Sequence, residues 1–373
     1  MATTEARYYD TNDLRLTKAG IEVRRLAADW LVSLPTGEVR FPLVDDQPER
    51  APAELPALLV AYTAGRDLSA RPVDRRAEPT EAELGRKSSM SDVLGRYLRQ
   101  QLAALRVADV ALRRGEPAGV HDLRVAVRRL RTCLRVFATY FQPDRLARVR
   151  AELAWLFGVL GDARDVEVLR ARITGALHAL PTELVLGPVP VELDRFLAKR
   201  EAHTADAVHE AITGTRYVAL LKLLEDVPCR PAADRRAGKA LPNRIEKSFR
   251  ALRAAVAETP AASGPERDAA LHSVRKKTKR LRYTCEIAEP VLGTPAKRIR
   301  RECRQVQRIL GEHHDSVVLR AELRRLGGQA HLAGTNGFTF GVLHGQAGEQ
   351  ANRNESQFAR QWDRVTGAVS RAR

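Results

Sequence analysis

Between residues 121 and 135, one imidazole and four guanidinium groups recur at helical spacing. His121, Arg124, Arg128, Arg131 and Arg135 stand at i, i+3, i+7, i+10 and i+14, so a helix projects all five from one stripe. Like charges three or four residues apart repel by about 0.2–0.5 kcal/mol per pair. Helix stability alone therefore does not select this pattern. Guanidinium forks hold phosphate oxygens bidentately, and an ammonium acts as a movable point charge. The stripe has no carboxylate cluster to hold Mg²⁺ and no nucleophile paired with a base. Its chemistry is that of binding a polyanion, with no catalysis expected.

The design occurs twice. His272, Arg275, Lys279 and Arg282 repeat His121, Arg124, Arg128 and Arg131 at an offset of 151 residues, with Lys276 beside them and Glu286 where the first copy has Arg135. A second shared block follows each stripe: LGDARDVEVLRA from Leu160 and LGEHHDSVVLRA from Leu310. Two blocks in the same order and spacing indicate an internal duplication. Downstream in the second copy, Lys297, Arg300, Arg301, Arg304 and Arg308 share a further stripe, with Ile299, Val306 and Leu310 on the buried side. The first copy has only Arg148 and Arg150 there, followed by Ala151, Ala154 and Gly158. The expected site is lopsided, richer on the second copy's side, and includes Arg301, Arg304 and Arg308. Three alternatives stand beside this reading. The third stripe could pair with acids on neighbouring helices. His121 and His272 could be core or helix-start residues. Arg164 and Asp165, with His314 and Asp315, could clamp helices together, both acids serving structure.

The elements that must carry these stripes are amphipathic helices. Leu123, Val127, Leu130 and Leu134 line the face adjoining the first basic stripe, and Val274, Thr278, Leu281 and Cys285 the second. Ser91 is read as the cap of a helix that stops at Gly115, and the first basic helix ends near Tyr140. Pro143 opens a helix running to about His178, in which Gly161 is a kink or close-packing point. After a loop over 181–190 come helices at 191–213 and 215–227. The second copy is expected as helices near 233–257, 266–289, 295–326 and 337–369, with Gly327-Gly328 breaking the last two. Residues 6–44 alone read as sheet, short β-prone runs separated by turn chemistry that predict a three- or four-stranded antiparallel meander. Residues 45–87 read as a linker or cover segment, with a short helical piece near 54–63. The predicted architecture is mainly all-α: two pseudo-symmetric four-helix bundles, 89–228 and 229–373, preceded by the small β region and linker at 1–80.

Charge supports the same reading. The chain of 373 residues has a formal net charge of +17 and a pI near 10.3. Residues 1–87 hold 13 Lys and Arg against 15 Asp and Glu, a net of −2, so the duplicated part carries +19. Such a balance calls for a polyanionic partner: nucleic acid, a polyphosphate or a membrane surface. Cys133, Cys229, Cys285 and Cys303 are scattered without a CxxC pair and read as reduced residues. With no signal peptide or membrane-spanning stretch in view, the cytoplasm is the expected compartment and membrane partnership is not expected.

Two resemblances add to this. YYDTNDLRL, GIEVRRL, the WLVSLP strand and EVRFPL, followed by LLVAYTAGRDLSARPVDRR, resemble the middle of a CYTH domain, the triphosphate-tunnel fold. That family's opening Glu-x-Glu-x-Lys strand has no counterpart here, its usual lysine on the WLVSLP strand is replaced at Ser33, and its closing strands are missing. Arg24 and Arg25 match family arginines, but the partial pattern implies a docked remnant rather than an active triphosphatase. HDLRVAVRRLR paired with HSVRKKTKRLRY, each followed by LG-x-x-[RH]-D, resembles the CHAD domain from about Ser89 to the C-terminus. This resemblance implies two four-helix bundles whose basic helices face each other across a groove or pore. It also implies inorganic polyphosphate as ligand, with polyphosphate granules as the attendant location.

Three rivals are weighed against polyphosphate. RNA or single-stranded DNA would also satisfy a cationic groove, as a weaker competitor. Sequence-tolerant single-strand binders add stacking aromatics, and only Tyr283 touches the stripes. A metal site is not expected, because the nine histidines show no HxxxH, HExxH or Cys-His spacing and the stripes repel cations. A residual triphosphate or polyphosphate hydrolase acting through the CYTH-like part is the last. No cofactor is implied.

Overall fold

The computed structural model describes residues 7–27, 29–43, 50–71, 82–225, 227 and 234–372. Cys229 and the boundary expected at 228/229 lie outside the described residues. In chain order the elements are β1 (Arg7–Asp10), α1 (Arg15–Lys18), β2 (Glu22–Arg25), β3 (Asp29–Leu34), β4 (Gly37–Pro42), α2 (Glu54–Leu58), α3 (Val60–Thr63) and β5 (Ser69–Arg71). The helical part follows as α4 (Met90–Arg113), α5 (Gly119–Val136), α6 (Pro143–His178), α7 (Val189–Thr213), α8 (Thr215–Glu225), α9 (Ala237–Glu258), α10 (Gly264–Leu292), α11 (Thr294–Leu332) and α12 (Phe338–Ser370).

The sheet is antiparallel throughout, in the order β4-β3-β2-β1-β5. Its first four strands are the expected meander. The fifth comes from the segment read as linker and pairs along β1 through Tyr8–Arg71 and Asp10–Ser69. The DLRLT run, β-prone on paper, is a helical turn instead. The buried Asp10 carboxylate accepts the backbone N–H groups of Thr11, Leu16 and Thr17, which folds the chain back at that point. Trp30, Val32, Leu16, Leu55 and Leu59 form a core that also takes Val110 of α4. Glu225 of α8 is held by Arg15, Arg66 and Arg106, tying sheet to helices. Arg24, matched to the CYTH pattern, donates to Ser33 and pairs with Glu38 on its own sheet.

The helical part repeats one order, α4–α7 and then α9–α12, with α8 added to the first copy: two related four-helix units preceded by the sheet. Ser89, not Ser91, caps α4. Its Oγ accepts the Asp92 N–H at 3.0 Å while the Asp92 carboxylate accepts the Ser89 N–H at 3.3 Å, a reciprocal capping box that leaves Ser91 already helical. α11 runs straight through Gly327-Gly328, against expectation. A Cβ on Gly327 would lie 3.3 Å from Phe340 Cβ, so the glycine admits close approach of α12, and the turn comes later, at Gly334 with φ +72°.

The main core draws on both copies at once. Leu123, Val127 and Leu130 of α5 join Val274 and Leu281 of α10, Leu156 of α6 and Val306 of α11 in one apolar cluster. A second cluster joins the far halves of the long hairpins: Leu169 and Ile173 of α6, Leu193 of α7, Leu323 of α11 and Phe340 of α12. The copies therefore share their interior, and α5 and α10 are pressed together in the middle of it.

Candidate functional site

α5 and α10 meet through polar contacts that fix their rotation. Arg128 Nε donates to Tyr283 Oη at 2.8 Å, Arg129 pairs with Glu286 at 2.9 Å, and Tyr97 Oη donates to Glu286 at 3.1 Å. Glu286, the departure from the basic stripe, is thus a bracket between the two helices. With the rotation set, the apolar faces enter the core and the basic faces open into one cavity of about 1180 Å³.

All five first-copy stripe residues line that cavity: His121, Arg124, Arg128, Arg131 and Arg135. From α10 come His272, Arg275, Lys276 and Lys279. Arg150 of α6, noted above only as one of the first copy's few charges there, joins them. Residues that the sequence reading missed complete the wall: Phe157 and Arg172 of α6, and Lys277 and Arg280 of α10. Arg164, Asp165, His314 and Asp315, read as an interhelical clamp, also face it. In total, twelve Lys and Arg side chains stand against two carboxylates, Asp165 and Asp315. Asp315 pairs with Arg172 across the copies at 3.1 Å, and Asp165 lies 3.8 Å from Arg124. The two acids do join helices, but through Arg172 and Arg124. Arg164 pairs with Glu167 of its own helix at 2.8 Å and His314 faces the His272 ring, so the four residues do not clamp one another, and all four are part of the lining.

Four expected site residues do not line the cavity. Arg301, Arg304 and Arg308 are exposed on α11, Arg301 and Arg308 beside Glu302 and Glu312 of their own helix at 2.9 Å each. At 100° per residue they point opposite Ile299, Cys303, Val306 and Leu310, which are buried. A stripe diametrically opposed to the core face looks into solvent, not into an internal cavity. Arg300 of the same run pairs with Glu289 at 2.6 Å, as the alternative reading held. Arg282 packs its guanidinium 4.4 Å from the centre of the buried Tyr283 ring, where the first copy has the smaller Thr132. The expected lopsidedness is accordingly reversed. The charges come from α6, whose Ala147, Ala151 and Ala154 leave room along the wall.

The two repeated motifs fit each other. Arg124 lies over Gly161, where a Cβ would stand 2.7 Å from its Nη1 and where it donates to the Leu160 carbonyl at 3.4 Å. Arg275 lies likewise against Gly311, at 3.8 Å from the Cβ position. The LG glycine is a close-packing point in the first copy, where it seats Arg124; in the second, a Cβ at Gly311 would make only ordinary van der Waals contact with Arg275. Phe157 holds the array from the other side, its ring centre 4.6 Å from the Arg124 guanidinium and 4.5 Å from that of Arg131.

The electrostatics are those of uncompensated cations. Burial, then Arg275, Arg128 and Arg124, brings the Lys279 ammonium down to about 7. Burial also lowers the guanidinium pKa of Arg124 and Arg275, with Arg128 adding to both. His272 and His314 face each other at 4.4 Å between ring centres, each brought to about 4 by burial and then by neighbouring positive charge or the facing ring. Both rings are neutral at pH 7, and His272 Nδ1 is buried without a hydrogen-bond partner. His121 sits exposed at the end of the stripe, its pKa lowered by burial and by Arg164. Asp165 is pushed up by burial against the pull of Arg124. Twelve cationic side chains against two carboxylates leave the wall strongly positive. No helix among the described residues is long and apolar enough to cross a membrane.

Comparisons with known proteins give the family and the fold. The family model described as the CHAD domain matches residues 96–324. An uncharacterized protein from two strains of Mycobacterium tuberculosis is 33% identical over 287 residues, 76% of this chain and 55% of its own length. The chain thus spans about half the length of the curated relatives it matches. Among solved structures, PptA from Streptomyces chartreusis superposes with a TM-score of 0.60 at 22% identity, covering 74% of this chain and 100% of its own. The CHAD domain from the plant Ricinus communis gives 0.59 at 22% identity, covering 78% and 95%. At that identity these two share the fold.

Proposed function

The chain belongs to the CHAD domain family, and from that premise we propose that it binds inorganic polyphosphate, without catalysis, in the cavity between α5 and α10. One observation carries the reading: twelve cationic side chains from both copies converge on a single cavity with two carboxylates among them. A linear polyanion answers that balance, since every repeat unit brings a charge that can accept a guanidinium fork. Arg124, Arg128, Arg131, Arg275 and Lys279 are the residues assigned to the phosphate chain, His272 and His314 to neutral hydrogen bonds with its oxygens. Among the described lining residues Phe157 is the one phenyl or indole ring, and two arginines already pack over it. That arrangement favours phosphate over stacked bases.

The test is competition between polyphosphate and RNA at matched charge and salt, on the full chain and on a variant with Arg124, Arg128, Arg275 and Lys279 all replaced by Ala. Polyphosphate is expected to displace RNA. The variant is expected to lose roughly a thousandfold in affinity, since hydrogen bonds to charged groups contribute about 1.5–3 kcal/mol each and do not add fully. Circular dichroism checks that helicity is kept. RNA winning, or unchanged affinity in the variant, overturns the reading.

A further inference from the structure

A second cluster lies where α10, α11 and α12 pack together. Asp268, His313 and Glu355 each offer one ligand-capable atom, all within 4.8 Å of one another. His313 is 2% exposed, and its Nε2 is buried and makes no hydrogen bond. Yet Asp268 Oδ1 stands 3.5 Å from that nitrogen and Glu355 Oε1 stands 3.3 Å from it. At those distances a ring N–H that engages neither oxygen has both of them off its axis. Two carboxylates flank the nitrogen without taking its proton.

That spacing has a simple origin. Bonds of about 2.0–2.1 Å from zinc to nitrogen or oxygen place neighbouring atoms of a tetrahedral shell about 3.4 Å apart. The carboxylate that must be held still is held: Arg267 Nε donates to the other oxygen of Glu355 at 2.5 Å and its Nη1 to the Thr259 carbonyl at 2.9 Å. An outer partner of this kind orients a ligating oxygen. The cluster is peculiar to one copy. At the repeat offsets established by the two motifs, Asp268 answers to Pro117 and His313 to Ala163, so an aspartate and a histidine arise together where the first copy has apolar residues. Sequence spacing could not reveal the set, because its members are 45 and 42 residues apart on three helices.

From this we infer that Asp268, His313 and Glu355 form a site for a divalent transition-metal ion of the zinc class, with one position left for water. One imidazole and two carboxylates suit zinc, cobalt or manganese; calcium and magnesium require more oxygen ligands than this cluster holds. The ion would join α12 to α10 and α11 on the side of α11 that carries His313, next to His314 in the cavity wall.

The experiment uses the full chain, stripped with a chelator and titrated with Co²⁺ and then Zn²⁺. One equivalent of Co²⁺ is expected to bind with the strong visible absorption of a four-coordinate nitrogen and oxygen site, Zn²⁺ is expected to displace it, and the melting temperature is expected to rise. Asp268→Asn, His313→Gln and Glu355→Gln should each abolish that equivalent, while Arg267→Gln weakens it by about tenfold. Should His313→Gln fail to fold, the half-buried Asp268→Asn and Glu355→Gln variants carry the test. No stoichiometric uptake by the native chain, or uptake equal in native protein and variants, overturns the inference. Neither result bears on polyphosphate binding, which is measured with the metal removed.

Discussion

Lys279 sits among Arg275, Arg128, Arg124 and Arg282, and burial with this company brings its ammonium to about 7 from 10.5. A bound phosphate chain reverses that pressure, so above pH 7 binding must take up a proton. Affinity is therefore expected to fall as pH rises from 7 towards 10, by at most tenfold per unit, because one displaced pKa unit corresponds to tenfold in the equilibrium. Lys279→Arg, charged throughout, should flatten that profile at the high-affinity level. Titrating affinity at several pH values checks this, and equal slopes in both proteins would count against it. For the ligand-free protein the sign is opposite. Between about 7 and 10.5 the unfolded chain holds the proton that the folded one has lost, so stability rises with pH across that window. A second residue-scale outcome concerns Gly161. The added methyl of Gly161→Ala meets only the flexible end of Arg124, so the expected result is weaker binding with an almost unchanged melting temperature, read by titration and thermal unfolding together. At this scale the arginines of α5 were legible because period alone reveals them. Phe157 and Arg172 were not, being single residues on a helix whose pattern announces packing rather than charge.

Among the elements, α6 and α11 exchange the roles that composition gave them. α11 has the denser basic run, but Arg301, Arg304 and Arg308 lie opposite its buried face, and solvent screens what they offer. Replacing all three with Ala is expected to change polyphosphate affinity by about twofold at most, whereas Arg150→Ala and Arg164→Ala on α6 together should weaken it by tenfold or more, about 1.4 kcal/mol. Parallel binding titrations decide between them, and a larger loss from the α11 variant would move the site. The helices themselves were legible from capping and period, as Pro143 opening α6 shows. Boundaries failed where a local signal met a tertiary one. Ser91 is a fair cap until Ser89 and Asp92 bond reciprocally, and Gly327-Gly328 reads as a stop until Phe340 needs the space. Asp10 made a helical turn of a β-prone run for the same reason, by supplying acceptors that residue propensities do not contain.

Taken whole, the molecule uses one shared core to hold like charges close together, and that arrangement has two opposite consequences in salt. The duplication was readable from two motifs at a common offset, whereas the merging of both copies into one interior was not, since it depends on which apolar faces meet. Because the interior is common, the twelve cavity cations cannot move apart, and their repulsion is borne by the fold. Salt at 0.1 M screens charges beyond about 10 Å, so adding it should raise the melting temperature of the ligand-free protein. The same salt should lower polyphosphate affinity, linearly on logarithmic axes, because counterions released from the chain on binding gain less entropy in a saltier solution. If the chain behaves like a single-stranded nucleic acid, each phosphate contact contributes about −0.7 to that slope. Removing Arg124, Arg128, Arg275 and Lys279 should thus make the slope shallower by roughly 3 and at the same time blunt the stabilisation by salt. Melting curves and binding isotherms across one salt series measure both. A flat binding response, or a variant whose two salt dependences match those of the native chain, would mean that these charges do not act as one array.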